Sequence, residues 1–258
     1  ARAATTAPTT TAPRATPTPS PTSADTPVYG GKLVLSTGAS PRSLIPEPNY
    51  IRNFYSQMAH DTLLKLDEKG VLQPNLATEF KLGPDNKSLT ITIRKGVRFH
   101  DGTPLNAEAV KWNILLKQAA KLGDYEGVTS VDVVDESTVR LNIVKYRNTL
   151  LPSLWFIAGL MQSPTSYQKD GKDAAQFHPV GTGPFKFVAY NVNQSEKYVR
   201  NDDYWQKGLP YLDAVDSNII ADSTTRELDF RNGGAHASET LPAQNVAALQ
   251  KDGYPVMV

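Results

Sequence analysis

Two glycines stand one residue apart, at Gly181 and Gly183, within the stretch VGTGPFKFVAY. A Gly-x-Gly pair that binds a nucleotide phosphate ends a strand and opens a helix, whose free N–H groups receive the anion. Here Pro184 follows, and large side chains recur at every second residue from Phe185 to Tyr190. This period is typical of a strand. The pattern therefore argues against a phosphate site, and we expect the glycines to let the backbone turn tightly into a strand.

Residues that could catalyse a reaction or hold a metal are scattered. His60 and His100 each precede an aspartate, but neither has a second metal ligand at helical or strand spacing. The sequence has no Gly-x-Ser-x-Gly motif, and the adjacent Asp202 and Asp203 would point apart in an extended segment. We expect hydrogen-bonded or surface histidines, no metal, no cofactor and no enzyme. A hydrolase, the enzymatic alternative, would need a convergent nucleophile and base that this pattern does not supply.

Aromatic residues are better candidates for a binding surface. Trp155 and Phe156 follow Pro152 in an apolar segment, and we expect this pair to form part of a cleft wall. Most other aromatic side chains of such a chain are expected to lie in the core.

Composition limits the class of protein. The chain has 258 residues, of which 40% are hydrophobic and 21% are charged, as in folded globular domains. No apolar run approaches the ~18 residues of a membrane-spanning helix. A net charge of +1 gives no electrostatic case for nucleic acid or an anionic membrane. The absence of cysteine excludes disulfides and thiolate metal sites.

Residues 1–28 differ from the rest of the chain. They contain nine Thr, seven Ala and six Pro, with one Val as the only branched apolar residue. Such a segment cannot bury enough apolar surface to offset the entropy of ordering, so we expect a disordered linker. Its composition favours an extracytoplasmic spacer, and a remnant of cloning or degradation is the alternative.

The elements that must position these residues follow from periodicity and turn signals. Asn106 is the expected N-cap of one helix, and Asp222 or Ser223 that of another. Strands and helices are mixed without strict alternation, which indicates an α/β or α+β body. The predicted strands are 32–37, 88–94, 181–190, 195–200, 214–220 and 254–258, with a hairpin over 131–144; the predicted helices are 51–66, 107–123, 222–232 and 242–253, with an apolar segment over 149–161 and an irregular loop over 38–49.

Five stretches together resemble the peptide/nickel class (family 5) of extracytoplasmic solute-binding proteins that serve ABC importers. The most distinctive are RKGVRFHDGTPL (94–105), HPVGTGPFKF (178–187) and RNDDYW (200–205). GVLQPNLATEF (70–80) and SVDVVDESTVRLNI (130–143) occur in the same order and spacing, so the resemblance covers nearly all of residues 30–258.

The resemblance implies an α/β, two-lobed periplasmic-binding-protein fold of class II with the extra lobe of the peptide-binding class. Lobe I would comprise 29–60 and 175–258, and lobe II 61–174, with the Gly-x-Gly turn connecting lobes. Family members are about twice as long, so the resemblance implies that the lobe that closes over the ligand is missing from this chain. The remaining C-terminal half would then be a partner of this one.

The resemblance also implies a function and a site. The protein would capture a small solute, most commonly a peptide, in an interlobe cleft and deliver it to an ABC permease. Cleft residues would be Asn49, Tyr50 and Asn53 from the loop after the first strand. Trp155 and Phe156 would form a wall, and His236, near a position where the family usually has Asp, would influence ligand choice or simply lie in a loop.

Alternatives of the same fold are a receptor that senses a ligand without transport, and an inactive half-chain fragment. The resemblance implies an extracytoplasmic location, in the periplasm or at the cell surface, as a lipoprotein with a lipid anchor upstream of the linker. One departure from the family is Ala109, where Asp is usual and would complete a reciprocal cap. We expect a modest loss of stability there and no change in function.

Overall fold

Two separate β-sheets organise the part of the chain that the structure, a computed structural model, describes: residues 27–45, 56–239 and 241–256. One sheet has five strands and the other has four, and a two-stranded ribbon lies between them in sequence. The five-stranded sheet takes its strands from 32–37 and 185–238, and the four-stranded sheet takes its strands from 77–143. The lobe boundaries implied by the resemblance stay a prediction.

The five-stranded sheet is mixed. Its strands are β1 (Lys32–Thr37), β8 (Phe185–Asn191), β9 (Ser195–Arg200), β10 (Ala214–Ile219) and β11 (Ala237–Ser238), in the order β11-β1-β10-β9-β8. β1 pairs in parallel with β10 and β11, whereas β8, β9 and β10 pair antiparallel. Leu33, Val215 and Tyr198 share one face of this sheet, where they pack with Ala59 in a small core. The predicted strands 32–37, 195–200 and 214–220 are therefore confirmed, and the strand predicted over 181–190 begins only at Phe185.

The second sheet is antiparallel and carries the larger core. It contains β4 (Ala77–Leu82), β5 (Ser88–Ile93), β6 (Val128–Asp135) and β7 (Thr138–Ile143), in the order β4-β5-β7-β6. Leu89, Ile91 and Ile93 alternate with polar residues and are buried, as the period of two predicts. The remaining ribbon pairs β2 (Leu64–Leu66) with β3 (Leu72–Pro74).

Seven short helices connect or cover the sheets in the described residues. Asn106 caps α2, since its side-chain oxygen accepts from the Ala109 N–H at 3.0 Å, and Asp222 caps α6 in the same way. Both predicted caps are confirmed. The helices are α1 (Ser56–Ala59), α2 (Ala107–Ala119), α3 (Leu150–Ser153), α4 (Pro164–Asp170), α5 (Lys172–Ala175), α6 (Ser223–Arg231) and α7 (Ala243–Lys251).

Three predicted elements differ from the structure. The helix over 51–66 is wrong in its second half, because α1 ends at Ala59 and the following leucines pair as extended chain, with the Leu64 N–H donating to the Leu154 carbonyl. α2 ends before Gly123, because Lys121 adopts the left-handed region with a φ of 61°. No strand forms over residues 254–256.

The Gly-x-Gly turn packs directly on the end of α1. A Cβ atom on Gly181 would lie 2.0 Å from the Ala59 carbonyl oxygen, and one on Gly183 would lie 2.6 Å from the Ala59 carbonyl carbon. Neither glycine has a positive φ. The expected reason for these glycines, a tight turn, is therefore wrong: glycine is required because two backbone segments touch. The Gly183 N–H donates to the Ala59 carbonyl at 2.9 Å, which closes the contact.

A buried carboxyl group lies beside this contact and joins it to the segment after β9. Asp61 accepts side-chain hydrogen bonds from Thr182 at 3.1 Å, Tyr204 at 2.9 Å and Trp205 at 2.8 Å. Burial raises the pKa of Asp61 to about 6, and the three donors oppose that rise because they favour the ionised form. Two of the three most distinctive stretches, HPVGTGPFKF and RNDDYW, thus meet on one carboxyl group.

A lysine is fully buried in the larger core. The Lys117 ammonium projects from α2 and donates to the carbonyls of Ala158 and Leu160, while the Tyr125 hydroxyl also donates to the Ala158 carbonyl. No ion pair involves Lys117 among the described residues. Burial therefore lowers the pKa of Lys117 to about 7, because water is not there to solvate the charge.

The glycine contact predicts that Gly181→Ala lowers the free energy of unfolding by about 2–4 kcal/mol, because the new methyl group would meet rigid backbone. Gly123→Ala is the matched control, since its Cβ would meet no atom within 4 Å and its φ is not positive. Urea unfolding followed by circular dichroism measures both variants. Equal stability of the two variants would show that the turn can move away from Ala59.

The buried lysine predicts a pH dependence that Lys117→Met removes. Below pH 7 the amine is charged in both the folded and unfolded protein, so it adds no slope. From pH 7 towards 10.5 the folded protein releases the proton first, so wild-type stability rises relative to the variant, by up to about 1.4 kcal/mol per pH unit.

Urea unfolding of the wild type and of Lys117→Met at pH 6, 7.5 and 9 measures this difference. A stability difference that stays constant over that range contradicts the assigned titration of Lys117.

Candidate ligand-binding site

The parallel strands of the five-stranded sheet end at one edge. Thr37 ends β1, Ile219 ends β10, and Glu239 directly follows β11. The Ile220 N–H donates to the Thr37 carbonyl and the Glu239 N–H donates to the Ser36 carbonyl, so the three chain segments leave the sheet side by side. Ligands of open α/β sheets bind outside the carboxyl ends of parallel strands. This carboxyl edge is therefore the candidate site.

The segment after β1 forms one side of this edge. It is irregular over residues 38–45, as predicted, and it is tied down by the Leu44 N–H, which donates to the Gln176 carbonyl at 2.7 Å. Asn49, Tyr50 and Asn53 lie outside the described residues, so their place in the cleft stays a prediction.

A buried carboxyl group near the same edge was not singled out in the sequence. Glu196 stands opposite Ser217 in the register of β9 and β10 and is completely buried. One carboxyl oxygen accepts from the Tyr198 hydroxyl at 3.2 Å, whereas the other oxygen has no hydrogen-bond partner among the described residues. Burial, with a smaller contribution from the charge of Glu239, raises the pKa of Glu196 to about 8.

At neutral pH Glu196 is therefore mostly a neutral acid, which can both donate and accept a hydrogen bond. The Ser217 hydroxyl beside it also lacks a hydrogen-bond partner in the described part of the chain. The alternation in SEKYVR does place Glu196 and Tyr198 on one face of a strand, but a glutamate at such a position is usually on the solvent face. Only the tertiary packing shows that this face is buried.

Trp155 and Phe156, the pair that we expect on a cleft wall, have their rings in contact. Their ring centroids are 5.4 Å apart, Trp155 is 37% exposed and Phe156 is half-buried. The preceding Leu154 is buried in the larger core and fixes the pair to the body of the protein. The two aromatic side chains are thus held at the surface by a rigid neighbour, while their position on a cleft wall remains a prediction.

His236 makes two hydrogen bonds to the backbone of Val34. Its Nδ1 accepts from the Val34 N–H at 2.9 Å, and its own N–H donates to the Val34 carbonyl at 2.8 Å. The residue is exposed and precedes β11, so it extends the pairing of β1 on the side away from the carboxyl edge. Among the described residues no hydrogen bond or ring contact joins it to Trp155 or Phe156. Its role in ligand choice stays a prediction.

The other three histidines are hydrogen-bonded, as expected. His60 Nε2 lies 2.7 Å from the Gln162 side-chain oxygen, His100 Nε2 lies 2.9 Å from the Gly183 carbonyl, and His178 Nδ1 lies 2.7 Å from Asp170. Across residues 27–45, 56–239 and 241–256, no three His, Asp or Glu side chains are grouped to hold a metal ion. No helix in those ranges has the length and apolar character needed to cross a membrane.

Comparison with known proteins agrees with this architecture. The model of the family described as bacterial extracellular solute-binding proteins, family 5 Middle, matches residues 71–257. The glutathione-binding protein GsiB of Escherichia coli O1:K1 is 31% identical over 228 residues, which make up 86% of this chain and 44% of GsiB. The chain thus spans about half the length of the curated relatives it matches.

Two solved structures share the fold. DppA from Helicobacter pylori, in complex with the peptide STSA, is 26% identical with a TM-score of 0.74 over 87% of this chain and 49% of DppA. NikA from Brucella suis, in complex with Fe(III)-EDTA, is 25% identical with a TM-score of 0.76 over 86% of this chain and 47% of NikA.

The mixed α/β fold predicted for the periplasmic-binding-protein class is confirmed by these structures. Because the family model matches more than half of the chain, the protein belongs to the bacterial extracellular solute-binding proteins of family 5.

Proposed function

We propose that the protein is the extracytoplasmic solute-binding component of an ABC importer, which captures a peptide or a similar small solute and delivers it to a membrane permease. The observation that carries this proposal is the family match over residues 71–257. Affinity in such sites comes from burial of the ligand in a concave cleft with a few placed polar groups. Closure around the ligand then favours the conformation that the permease recognises.

Peptides are the ligand class that we favour. GsiB is named for glutathione, a tripeptide, and DppA holds the peptide STSA, whereas NikA holds a metal chelate. A peptide presents N–H and carbonyl groups in alternation. Such alternating groups suit a cleft that places a few polar groups in mostly apolar walls.

The opposite wall of the cleft belongs, in this proposal, to a further segment comparable in length to this chain. Asn49, Tyr50, Asn53 and the aromatic pair would line the near wall. In this proposal the protein lies outside the cytoplasm, and the Thr- and Pro-rich residues 1–28 would act as a spacer from a membrane-anchored end.

The test is calorimetric titration of a panel of di-, tri- and tetrapeptides into the protein expressed at full length in its own host. We expect saturable binding of a subset of peptides, and we expect Trp155→Ala to weaken it about tenfold, which corresponds to about 1.4 kcal/mol.

Tyr211→Ala is the matched control, because Tyr211 is 42% exposed and lies 5.4 Å from the ring of Tyr29, much as Trp155 lies from Phe156. Saturable binding of a sugar or a metal chelate, with no response to any peptide, would overturn the proposed ligand class.

A further inference from the structure

A cavity of about 360 Å³ opens between the loop after β5 and the segment after β9. Five cationic side chains line it, together with a single carboxylate, that of Asp203, and the ring of Trp205. The cations are Arg94, Lys95, Arg98, Lys186 and Lys207.

The cations of this cavity are poorly neutralised by the protein itself. Lys186 lies 3.8 Å from Asp203, an ion pair at the limit of contact distance, and Asp203 is 94% exposed. The other four make no ion pair in the described ranges. The positive charge of Lys95 lies near Asp135 and makes only a small contribution to lowering the pKa of that carboxyl group. A cavity with this excess of positive charge attracts anions.

The two arginines are held by neutral groups. Arg94 Nε donates to the Asn75 carbonyl at 3.2 Å, and its guanidinium lies 4.8 Å from the centre of the Trp205 ring. Arg98 donates to the Gly102 carbonyl at 2.8 Å. These contacts orient each guanidinium but leave its positive charge uncompensated. The remaining N–H groups suit the paired oxygens of a carboxylate or a phosphate.

Several residues of the cavity wall are packed into the body of the protein. Val97 and Phe99 are buried on either side of Arg98, and Trp205 is anchored by its hydrogen bond to Asp61. His100 also lines the cavity, and its Nε2 lies within hydrogen-bond distance of the Gly183 carbonyl. Its Nδ1 is buried and has no hydrogen-bond partner in the described part of the chain. An ordered site loses little conformational entropy when a ligand binds.

The cavity lies away from the candidate solute site. Lys186 pairs with Val199 near the end of β9, and Arg200 pairs with Asp213, just before β10 begins. The cavity is therefore at the amino edge of β10, whereas Glu196 and Thr37 are at the carboxyl edge. The two sites occupy opposite ends of the same sheet.

We propose that this cavity is a second binding site, separate from the solute cleft, for a small oxyanion that carries two or more negative charges, such as a phosphate or pyrophosphate group. Two or more charges are needed to balance the excess of cations, and a volume of about 360 Å³ is within the range of small-molecule sites. The group is either a free anion or the headgroup of an anionic lipid.

The test is isothermal titration calorimetry, in which sodium pyrophosphate is titrated into the full chain at pH 7.5 and at low, constant ionic strength. The variant is Lys95→Gln/Lys207→Gln, which removes two exposed cations of the cavity. The control is Lys81→Gln/Lys87→Gln, which removes two exposed lysines that do not line the cavity. Both double variants change the net charge by the same amount. We expect saturable binding that weakens about tenfold or more in the variant and less than about twofold in the control.

Vesicles containing cardiolipin, whose headgroup carries two phosphate groups, distinguish the two sources of the anion, with phosphatidylcholine vesicles as the neutral reference. Binding of pyrophosphate alone identifies a soluble ligand, and additional binding to the anionic vesicles that pyrophosphate displaces identifies a headgroup. Either result supports the site if the cavity variant alone loses it. Absence of saturable binding to both probes, or equal losses in the variant and the control, overturns the proposal. Circular dichroism of both double variants confirms that they fold.

Discussion

The described structure depends on a contact that only glycine permits, together with one buried carboxyl group beside it. The turn at Gly181 and Gly183 touches the backbone of Ala59, and the turn brings Thr182 against Asp61. Tyr204 and Trp205 reach the same carboxyl group from the segment after β9. An unpaired acid at this depth would cost several kcal/mol, so the three donors are required together. The junction thereby joins the five-stranded sheet to the chain that begins the larger core.

The position of this junction explains why the two ends of the five-stranded sheet differ. At the amino edge of β10, the segment that carries Trp205 is joined to Asp61 by a hydrogen bond of 2.8 Å. At the carboxyl edge, the strands end in irregular segments and enclose the neutral acid of Glu196. The amino edge is thus tied to a second segment by a buried hydrogen bond, and the carboxyl edge of β1 and β10 is the candidate ligand site.

Much of the fold could be predicted from the sequence, because local physics decides it. Asn106 and Asp222 cap helices where their types and positions indicate, and the alternation of Leu89, Ile91 and Ile93 marks a half-buried strand. The helix expected over 51–66 does not continue past Ala59, because Leu63 and Leu64 are buried and the Leu64 N–H donates to the distant Leu154 carbonyl; residues 51–55 lie outside the described part of the chain. Over so short an apolar segment, the spacing of apolar residues cannot distinguish a helix from a fully buried strand.

The candidate site was less predictable than the fold. Trp155 and Phe156 are candidates because they follow a helix break in an apolar segment; their rings are in contact, and their place on a cleft wall stays a prediction. Glu196 and Lys117 were missed, since a charged residue in a strand or helix is ordinarily solvated and only the tertiary packing buries these two. The reason for the Gly-x-Gly motif was also tertiary, because the atoms that forbid a side chain belong to a residue more than a hundred positions earlier.

The measurement that tests the central claim most directly is a double-mutant cycle between Asp61→Ala and Tyr204→Phe, followed by urea unfolding. If Asp61 holds the junction, the two changes couple by about 1 kcal/mol or more, because each removes one partner of the same buried hydrogen bond. The exposed pair Asp132→Ala and Asn142→Ala, joined by a hydrogen bond of 2.6 Å, is the control and should couple by less than about 0.5 kcal/mol. Additive effects of Asp61→Ala and Tyr204→Phe would contradict the account.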